Sequence, residues 1–410
     1  MFDFRKESGS PSHVSFSLDG FGQTDELTSI KKAAIDRARQ KDGVLILPRI
    51  PRLPPAKDAL SPKEINFDPT VDSRMILDAL TTDDFLNAAK EKQIILDMGN
   101  TDFDILGFSD GNRIAINLAS EIDKRFPNNN RSRRLHLWSL VGVIDIAENH
   151  KKPGKAFLQS FLQELLNITT EETRIRFNSE ILNNRGVNAL TEKGHTIIPA
   201  GTSAKELAAS IAKILTFREG RNLFAKQLRH AGGKDMVFLF HIIKRALSVT
   251  PNQLIDNLGK NGVRSKACDE LRDWDIDLVL PRHDLVVPIE KIGRQIRKLA
   301  HRHTERIDTD LLHALSEIKD DRQLGEWFLT GRRTGFQETD SPQPDLITDQ
   351  PAGGILFPRA KSVVTILKGR EVTTPKIPGH EPNSRPKSIS FMSGHLAPML
   401  NPYFFITHLR

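Results

Sequence analysis

The stretch that decides the fold is Phe103-Asp104-Ile105-Leu106-Gly107-Phe108-Ser109-Asp110-Gly111. Its apolar first half predicts a strand, and apolar residues spaced three and four apart after Gly111 predict an amphipathic helix that ends near Phe126. The two glycines allow a very tight turn between these elements, because they carry no Cβ atom. The stretch therefore predicts a strand–turn–helix unit with Ser109 at the turn.

Strands and helices also alternate on either side of this unit. Strands are predicted at 14–18, 44–47, 135–141 and 276–280, and helices at 25–41, 72–92 and 289–303. Such alternation is typical of an α/β fold with a mostly parallel central sheet that is flanked by helices. The predicted core comprises residues 1–146 and 273–410.

Two segments interrupt this pattern. Helical periodicity dominates residues 147–272, which predicts an inserted helical cap or lid. Residues 304–386 are rich in turn-forming residues and predict a loop-rich insertion, with one strand candidate at 363–367. A last strand is predicted at 388–392, just before Ser393-Gly394-His395.

Composition excludes several classes of protein. The 410 residues are 38% hydrophobic and 27% charged, which is enough apolar content for a packed core. No apolar run has the length of a membrane-spanning helix, and the N-terminus does not resemble a secretory signal. One cysteine excludes an internal disulfide and a cysteine-rich metal site. We therefore expect a cytoplasmic protein, without a metal or cofactor.

The pentapeptide Gly107-Phe108-Ser109-Asp110-Gly111 fits the pattern G-x-S-x-G. Between a strand and a helix, this pattern is typical of a nucleophile elbow, which exposes a serine hydroxyl near a helix N-terminus. The other interpretation is an ordinary glycine-rich turn in which Ser109 caps the helix.

Three further motifs follow predicted strands in a consistent order, and together with the elbow they resemble the α/β-hydrolase family. Asp19-Gly20-Phe21-Gly22-Gln23-Thr24 resembles the family's oxyanion loop, with Asp19 where histidine is usual. Asp284 follows the strand at 276–280, and His395 lies in a Gly-His loop near the C-terminus. The resemblance implies a Ser109, Asp284 and His395 triad, with the N–H groups of Phe21 and Asp110 as oxyanion donors.

The acid has a second candidate. His395 lies much further along the chain from Asp284 than is usual in the family, which implies either a large insertion or a different acid. Glu371 also follows a strand candidate and lies closer to His395. We prefer Asp284, because its strand is more continuous and a helix follows it as in the family.

The resemblance implies a serine hydrolase that cleaves an ester, thioester or amide through an acyl-enzyme, with a small-molecule or acyl-chain substrate. The alternative is a non-catalytic protein of the same fold that uses the pocket for binding. The net charge of +7 and the basic helix after Asp284 favour peripheral contact with anionic surfaces. Stable nucleic-acid binding is not expected, because no aromatic residues interleave with the basic ones. The sequence leaves the oligomeric state open.

Overall fold

The structure is a computed structural model. It describes residues 2–3, 11–18, 29–41, 43–48, 68–127, 131–138, 143, 159, 162–163, 166, 171–192, 195–199, 202–222, 265–281, 284, 287, 289–302, 304, 307, 309–330, 345–347, 356–367, 371–373 and 388–390.

A mixed sheet of eight strands forms the centre of the described structure. The strands in spatial order are β1 (Phe2–Asp3), β3 (Val44–Ile46), β2 (His13–Leu18), β4 (Asp102–Phe108), β5 (Arg133–Trp138), β8 (Asp275–Pro281), β10 (Lys361–Leu367) and β9 (Asp345–Ile347). The six inner strands are all parallel, and only the two edge strands, β1 and β9, run antiparallel. The chain therefore has the predicted α/β architecture with a parallel six-stranded sheet.

Helices flank this sheet: α1 (Ser29–Gln40), α2 (Pro69–Ala79), α3 (Asp83–Glu91), α4 (Gly111–Arg125), α7 (Ala267–Glu270), α8 (Ile289–Arg302), α9 (Thr309–Glu317) and α10 (Asp321–Thr330). Two further helices, α5 (Glu171–Phe177) and α6 (Ala204–Thr216), pack in a separate apolar cluster.

Successive side chains of a strand point to opposite faces of the sheet, and the two faces differ. On one face, Phe103 and Ile105 of β4 belong to a large apolar cluster with Ile114 and Leu118 of α4 and Ile296 of α8. This cluster removes apolar surface from water and is the main core of the described structure. On the other face, the side chain of Arg37 in α1 reaches Asp104.

One of the helices predicted from the sequence is divided into two in the structure. We expected a single helix over 72–92, but α2 ends at Ala79 and α3 begins at Asp83. The Thr82 hydroxyl accepts the N–H of Phe85 and caps α3, while the Thr81 hydroxyl donates to the Asp78 carbonyl. Threonine side chains compete with the helical backbone in this way, so the pair of threonines separates the helices.

The expected last strand lies outside the central sheet. Strand β12 (Ser388–Ser390) pairs with β11 (Glu371–Thr373) in a separate antiparallel sheet. The strand candidate at 363–367 corresponds to β10 and pairs in parallel with β8 along its full length. The segment that was expected to be a loop-rich insertion therefore supplies the last parallel strand of the sheet.

Residues 159–217 contain a second, smaller apolar cluster. It includes Leu162, Phe177, Ile181, Leu207 and Ile214, and these residues are almost completely buried. The region is not purely helical, because β6 (Leu190–Glu192) and β7 (His195–Ile197) form an antiparallel hairpin. Where residues 147–272 begin and end as a unit, and their role as a cap, stay predictions.

Candidate active site

The strand order defines one location for a site. From β2 the chain continues to β3 on one side of β2, and later to β4 on its other side. In open α/β sheets, a crevice forms where the strand order reverses in this way, outside the carboxyl ends of the strands. Ser109 comes directly after β4, at the carboxyl end of the strand where the strand order predicts such a crevice.

Ser109 is the first residue of the turn between β4 and α4, and its backbone is left-handed with a φ of 53°. A serine side chain disfavours this region, because its Cβ approaches the backbone. Ser109 is half-buried, and its N–H donates to the Trp138 carbonyl at 3.2 Å, which ties the turn to the end of β5. The turn is therefore sharp and is held by the neighbouring strand.

Gly107 explains how the strand and the helix can lie so close together. A Cβ atom at this position would be 2.7 Å from Asn112 Oδ1 and 2.9 Å from both Asn112 Cα and Ala115 Cβ. The Asn112 side chain donates to the Trp138 carbonyl at 2.6 Å, so this close neighbour is itself fixed in place. Glycine is required at 107 because of this packing. Gly111, the second glycine of the motif, is the first residue of α4.

The residue after Ser109 is also buried and carries a charge. Asp110 has helical backbone angles, and its side chain makes no capping hydrogen bond to α4. Its Oδ1 atom instead accepts a hydrogen bond from Arg113 Nη1 at 3.2 Å, in an ion pair whose side chains are 7% and 2% exposed. Asp110 of the motif therefore belongs to a buried ion pair with Arg113, three residues later on α4, which the sequence analysis missed. A charged residue within the first turn of a buried helix was the available signal.

Asp284 lies beyond the carboxyl end of β8. It is buried, and its Oδ1 accepts the backbone N–H of Val287 at 3.0 Å, which fixes the carboxylate in a local turn. Strand β5 separates β4 from β8. At the usual spacing of strands, the backbones of β4 and β8 are about 10 Å apart, and parallel strands end at the same edge. Ser109 and Asp284 therefore follow the same edge of the sheet.

The remaining predicted site residues are described only in part. Phe21 and His395 lie outside the described residues. Of Glu371 the structure describes the backbone, which begins β11 opposite Ser390. The oxyanion role of Phe21, the base His395 and the choice between Asp284 and Glu371 therefore stay predictions.

A buried charged cluster on the α1 face of the sheet was not predicted. His136 of β5 has Nε2 2.7 Å from Asp104 Oδ1 and Nδ1 2.8 Å from Asp277 Oδ2. Arg37 Nε and Lys41 Nζ lie 2.7 and 3.0 Å from Asp104 Oδ2. His136 is 1% exposed and lies in the interior of the sheet, while the side chains of Lys41 and Asp277 at its margins are 30% and 18% exposed.

The cluster shifts the pKa values of its members. Burial would lower the pKa of His136, but the Asp104 carboxylate, with Asp277, outweighs burial and raises this pKa. Burial would raise the pKa of Asp104, but the charges of His136 and Arg37 and the contact with His13 hold it well below its usual range. Burial lowers the pKa of Lys41, which Asp104 only partly opposes. The two carboxylates therefore favour the protonated form of His136.

The basic helix after Asp284 is partly neutralised. Arg294 and Arg297 of α8 both bind the Asp321 carboxylate, at 3.1 and 3.2 Å, and Arg297 also donates to the Ile318 carbonyl. Within the described part of the chain, no three His, Cys, Asp or Glu residues are grouped so that they could hold a metal ion. No helix among the described residues has the length and apolarity needed to cross a membrane.

Comparisons with known proteins add little to this geometry. No protein-family model matches the chain, and no curated protein matches it. Among solved structures, it is similar to a lipase-esterase related protein from Clostridium acetobutylicum ATCC 824, with 11% identity and a TM-score of 0.30. That similarity covers 72% of this chain and 85% of the other. At this score the similarity carries no argument about function, so the functional proposal depends on the chain's own residues.

Proposed function

We propose that the chain is a serine hydrolase of the α/β-hydrolase type, which cleaves an ester, thioester or amide with Ser109 as nucleophile. The observation that carries the proposal is the left-handed backbone of Ser109 in the turn between β4 and α4, beside the crevice of the sheet. Strained non-glycine residues persist where the surrounding structure holds them, and they cluster at active sites. The turn would place the serine hydroxyl at the N-terminus of α4.

Three residues would carry the reaction. Ser109 Oγ would bond to the carbonyl carbon of the substrate while its proton passes to His395. The bond to the leaving group would then break, and the leaving group would take that proton. Water would attack the acyl-enzyme in the same way, releasing the acid and restoring Ser109. The buried carboxylate of Asp284 would orient His395 and stabilise its charged form.

The developing oxyanion would be stabilised by the backbone N–H groups of Phe21 and Asp110. Asp110 begins the first turn of α4, where the helix dipole favours negative charge. Removing one such donor in other enzymes costs about 3–4 kcal/mol of transition-state stabilisation. Asp19 is the departure in this region, because a carboxylate replaces the usual histidine.

Residues 147–272 would cover the site as a cap. The apolar cluster within residues 159–217 supports a folded unit there, separate from the main core. A cap of this kind excludes water and contacts the substrate, so a small-molecule or acyl-chain substrate fits the proposal. The reaction itself needs no cofactor.

Hydrolysis of p-nitrophenyl esters from acetate to palmitate tests the proposal. Wild type should turn over at least one ester, and Ser109→Ala should abolish turnover. Ser120→Ala, a change of another buried serine on α4, is the control and should retain activity. Equal background rates in wild type and Ser109→Ala would contradict catalysis and favour the non-catalytic binding protein.

The same assay decides between the two acids. If Asp284 orients the base, Asp284→Asn should lower kcat by about 10⁴, as the loss of a triad acid does elsewhere, while Glu371→Gln should change little. The reverse result would assign the acid to Glu371.

A further inference from the structure

The Asp110 carboxylate creates an electrostatic problem at the proposed oxyanion site. Its side chain is 7% exposed and belongs to the residue whose N–H would bind the oxyanion. In a buried, low-dielectric environment, a fixed negative charge beside a developing one opposes the transition state. An aspartate at this position therefore needs a compensating charge.

The Asp110 side chain does not cap α4, in keeping with its helical backbone angles. Aspartate at a helix N-terminus commonly accepts hydrogen bonds from the N–H groups of the first turn. Here the N–H groups of Asn112 and Arg113 bond instead to the carbonyls of Ser109 and Asp110, at 3.0 and 3.1 Å. The carboxylate makes no capping bond and is paired with Arg113. Its negative charge is therefore held by a side chain and not by the end of the helix.

Arg113 is poorly placed for stability alone. Its residue is 2% exposed, and a buried guanidinium loses its hydration. It also lies in the first turn of α4, where the positive end of the helix dipole disfavours a cation. A buried cation with two unfavourable contributions to stability, four residues after a proposed nucleophile, is expected to have a functional reason.

We propose that Arg113 is a positioning residue for the oxyanion site at Ser109: it holds the Asp110 carboxylate away from the N-terminus of α4 and neutralises it. This inference rests on the proposed function. Arg113 would not contact the substrate and would act on the reaction through Asp110. Loss of its charge should therefore slow the chemical step and leave substrate binding almost unchanged.

A double-mutant cycle tests this inference, with kcat and KM measured on the best p-nitrophenyl ester. Arg113→Met should lower kcat by about 10- to 100-fold, which is less than the loss of an oxyanion donor itself because both N–H donors remain, with KM within about twofold. In the Asp110→Asn background the same change should lower kcat by less than about threefold, because no carboxylate remains to be neutralised. Lys124→Met, on the exposed last turn of the same helix, is the matched control and should leave kcat unchanged.

The rate of Ser109 labelling by a fluorophosphonate gives a second readout that does not depend on the ester. The labelling rate should fall in the same variants in which kcat falls. If Arg113→Met does not fold, the neutral polar variant Arg113→Gln, measured with and without Asp110→Asn, replaces it, and its kcat deficit should again shrink in the Asp110→Asn background.

An equal loss of kcat in both backgrounds, a change in KM alone, or a folded Arg113→Met with wild-type kcat would each overturn the inference while leaving Ser109 catalysis intact. A wild type without any Ser109-dependent reaction would overturn the proposed function and this inference together.

Discussion

Phe103 and Ile105 of β4 face α4, whereas Asp104, between them on the same strand, faces α1. The first face is a continuous apolar cluster, and the second holds a buried histidine between two carboxylates. Apolar burial is non-directional and independent of pH, while a buried charged cluster is stable only when each charge keeps its partner. One strand thus contributes to two kinds of core, and the two should respond differently to substitution and to pH.

The largest effect is expected from breaking the charged face. Asp104→Ala should lower the free energy of unfolding by about 3–5 kcal/mol, because it removes the carboxylate that pairs with buried Arg37 and leaves His136 with Asp277 alone. Urea denaturation measures this change. Ile105→Val, the next residue and on the apolar face, is the control and should cost about 0.5–1.5 kcal/mol. Equal costs for the two variants would contradict the difference between the faces.

A smaller effect is expected from overfilling the apolar face beside the site. Gly107→Ala should cost about 1–3 kcal/mol, because its Cβ would press on Asn112 and Ala115. It should also lower activity, since the turn at Ser109 would have to shift. Gly99→Ala is the control, because its Cβ would meet only Asp97 Oδ1, at 3.5 Å. Denaturation and ester hydrolysis of both variants check the prediction. A Gly107→Ala protein with the stability and the activity of the wild type would contradict it.

The charged face should also make stability depend on pH. The pKa of His136 is raised, so its contribution is complete below the unfolded pKa of about 6.5 and is lost as pH rises through the higher folded pKa. The pKa of Asp104 is lowered, so its contribution is complete above about 3.9 and is lost as pH falls through the lower folded pKa. Both contributions are complete between about pH 4 and 6.5.

Urea denaturation midpoints measured from pH 5 to 9 check the contribution of His136 to stability. The midpoint should fall with rising pH in the wild type, and this fall should be weaker in His136→Gln. An identical pH dependence in the two proteins would show that His136 is not charged in the folded state.

The smallest loss of stability is expected from breaking an exposed ion pair on α1, the helix that also carries the buried Arg37. Arg39 of α1 pairs with Asp36 at 3.4 Å, and both side chains are about half exposed. Arg39→Met should therefore cost less than about 1 kcal/mol, because exposed pairs are weak. Arg37→Met, two residues earlier on the same helix, removes a buried partner of Asp104 and should cost several times more. Urea denaturation compares the two, and similar costs would contradict the assignment of Arg37 to the buried cluster.

Local periodicity was sufficient to predict the parallel strands and the helix after Ser109. β2, β3, β4, β5 and β8 each lie within two or three residues of the expected limits, because each contains a short continuous or alternating set of apolar residues. The break at Thr82 was missed because apolar spacing continues across it, whereas capping depends on a single hydroxyl. The pairing of β12 with β11 was missed because a three-residue strand does not indicate its partner.

The parts of the candidate site that depend on residues close together in the sequence could be predicted. The tight turn at Ser109 follows from neighbouring residues, and so does the position of Asp284 after its strand. The cluster around His136 depends on the register of three strands that are far apart in the chain, and local patterns do not encode this register. Asp104, a charged residue inside an apolar strand, was its one visible signal. Phe21 and His395 rest on the family resemblance.

The most direct test of the central claim is the site of covalent labelling by a fluorophosphonate, read by mass spectrometry of the tryptic peptide that spans residues 93–113. Wild type should gain one adduct at Ser109, with fluoride released and one bond formed from the serine oxygen to phosphorus. Ser109→Ala should gain none, and Ser120→Ala should be labelled like the wild type. An unlabelled wild-type protein, or labelling that persists in Ser109→Ala, would contradict the assignment of Ser109 as the nucleophile.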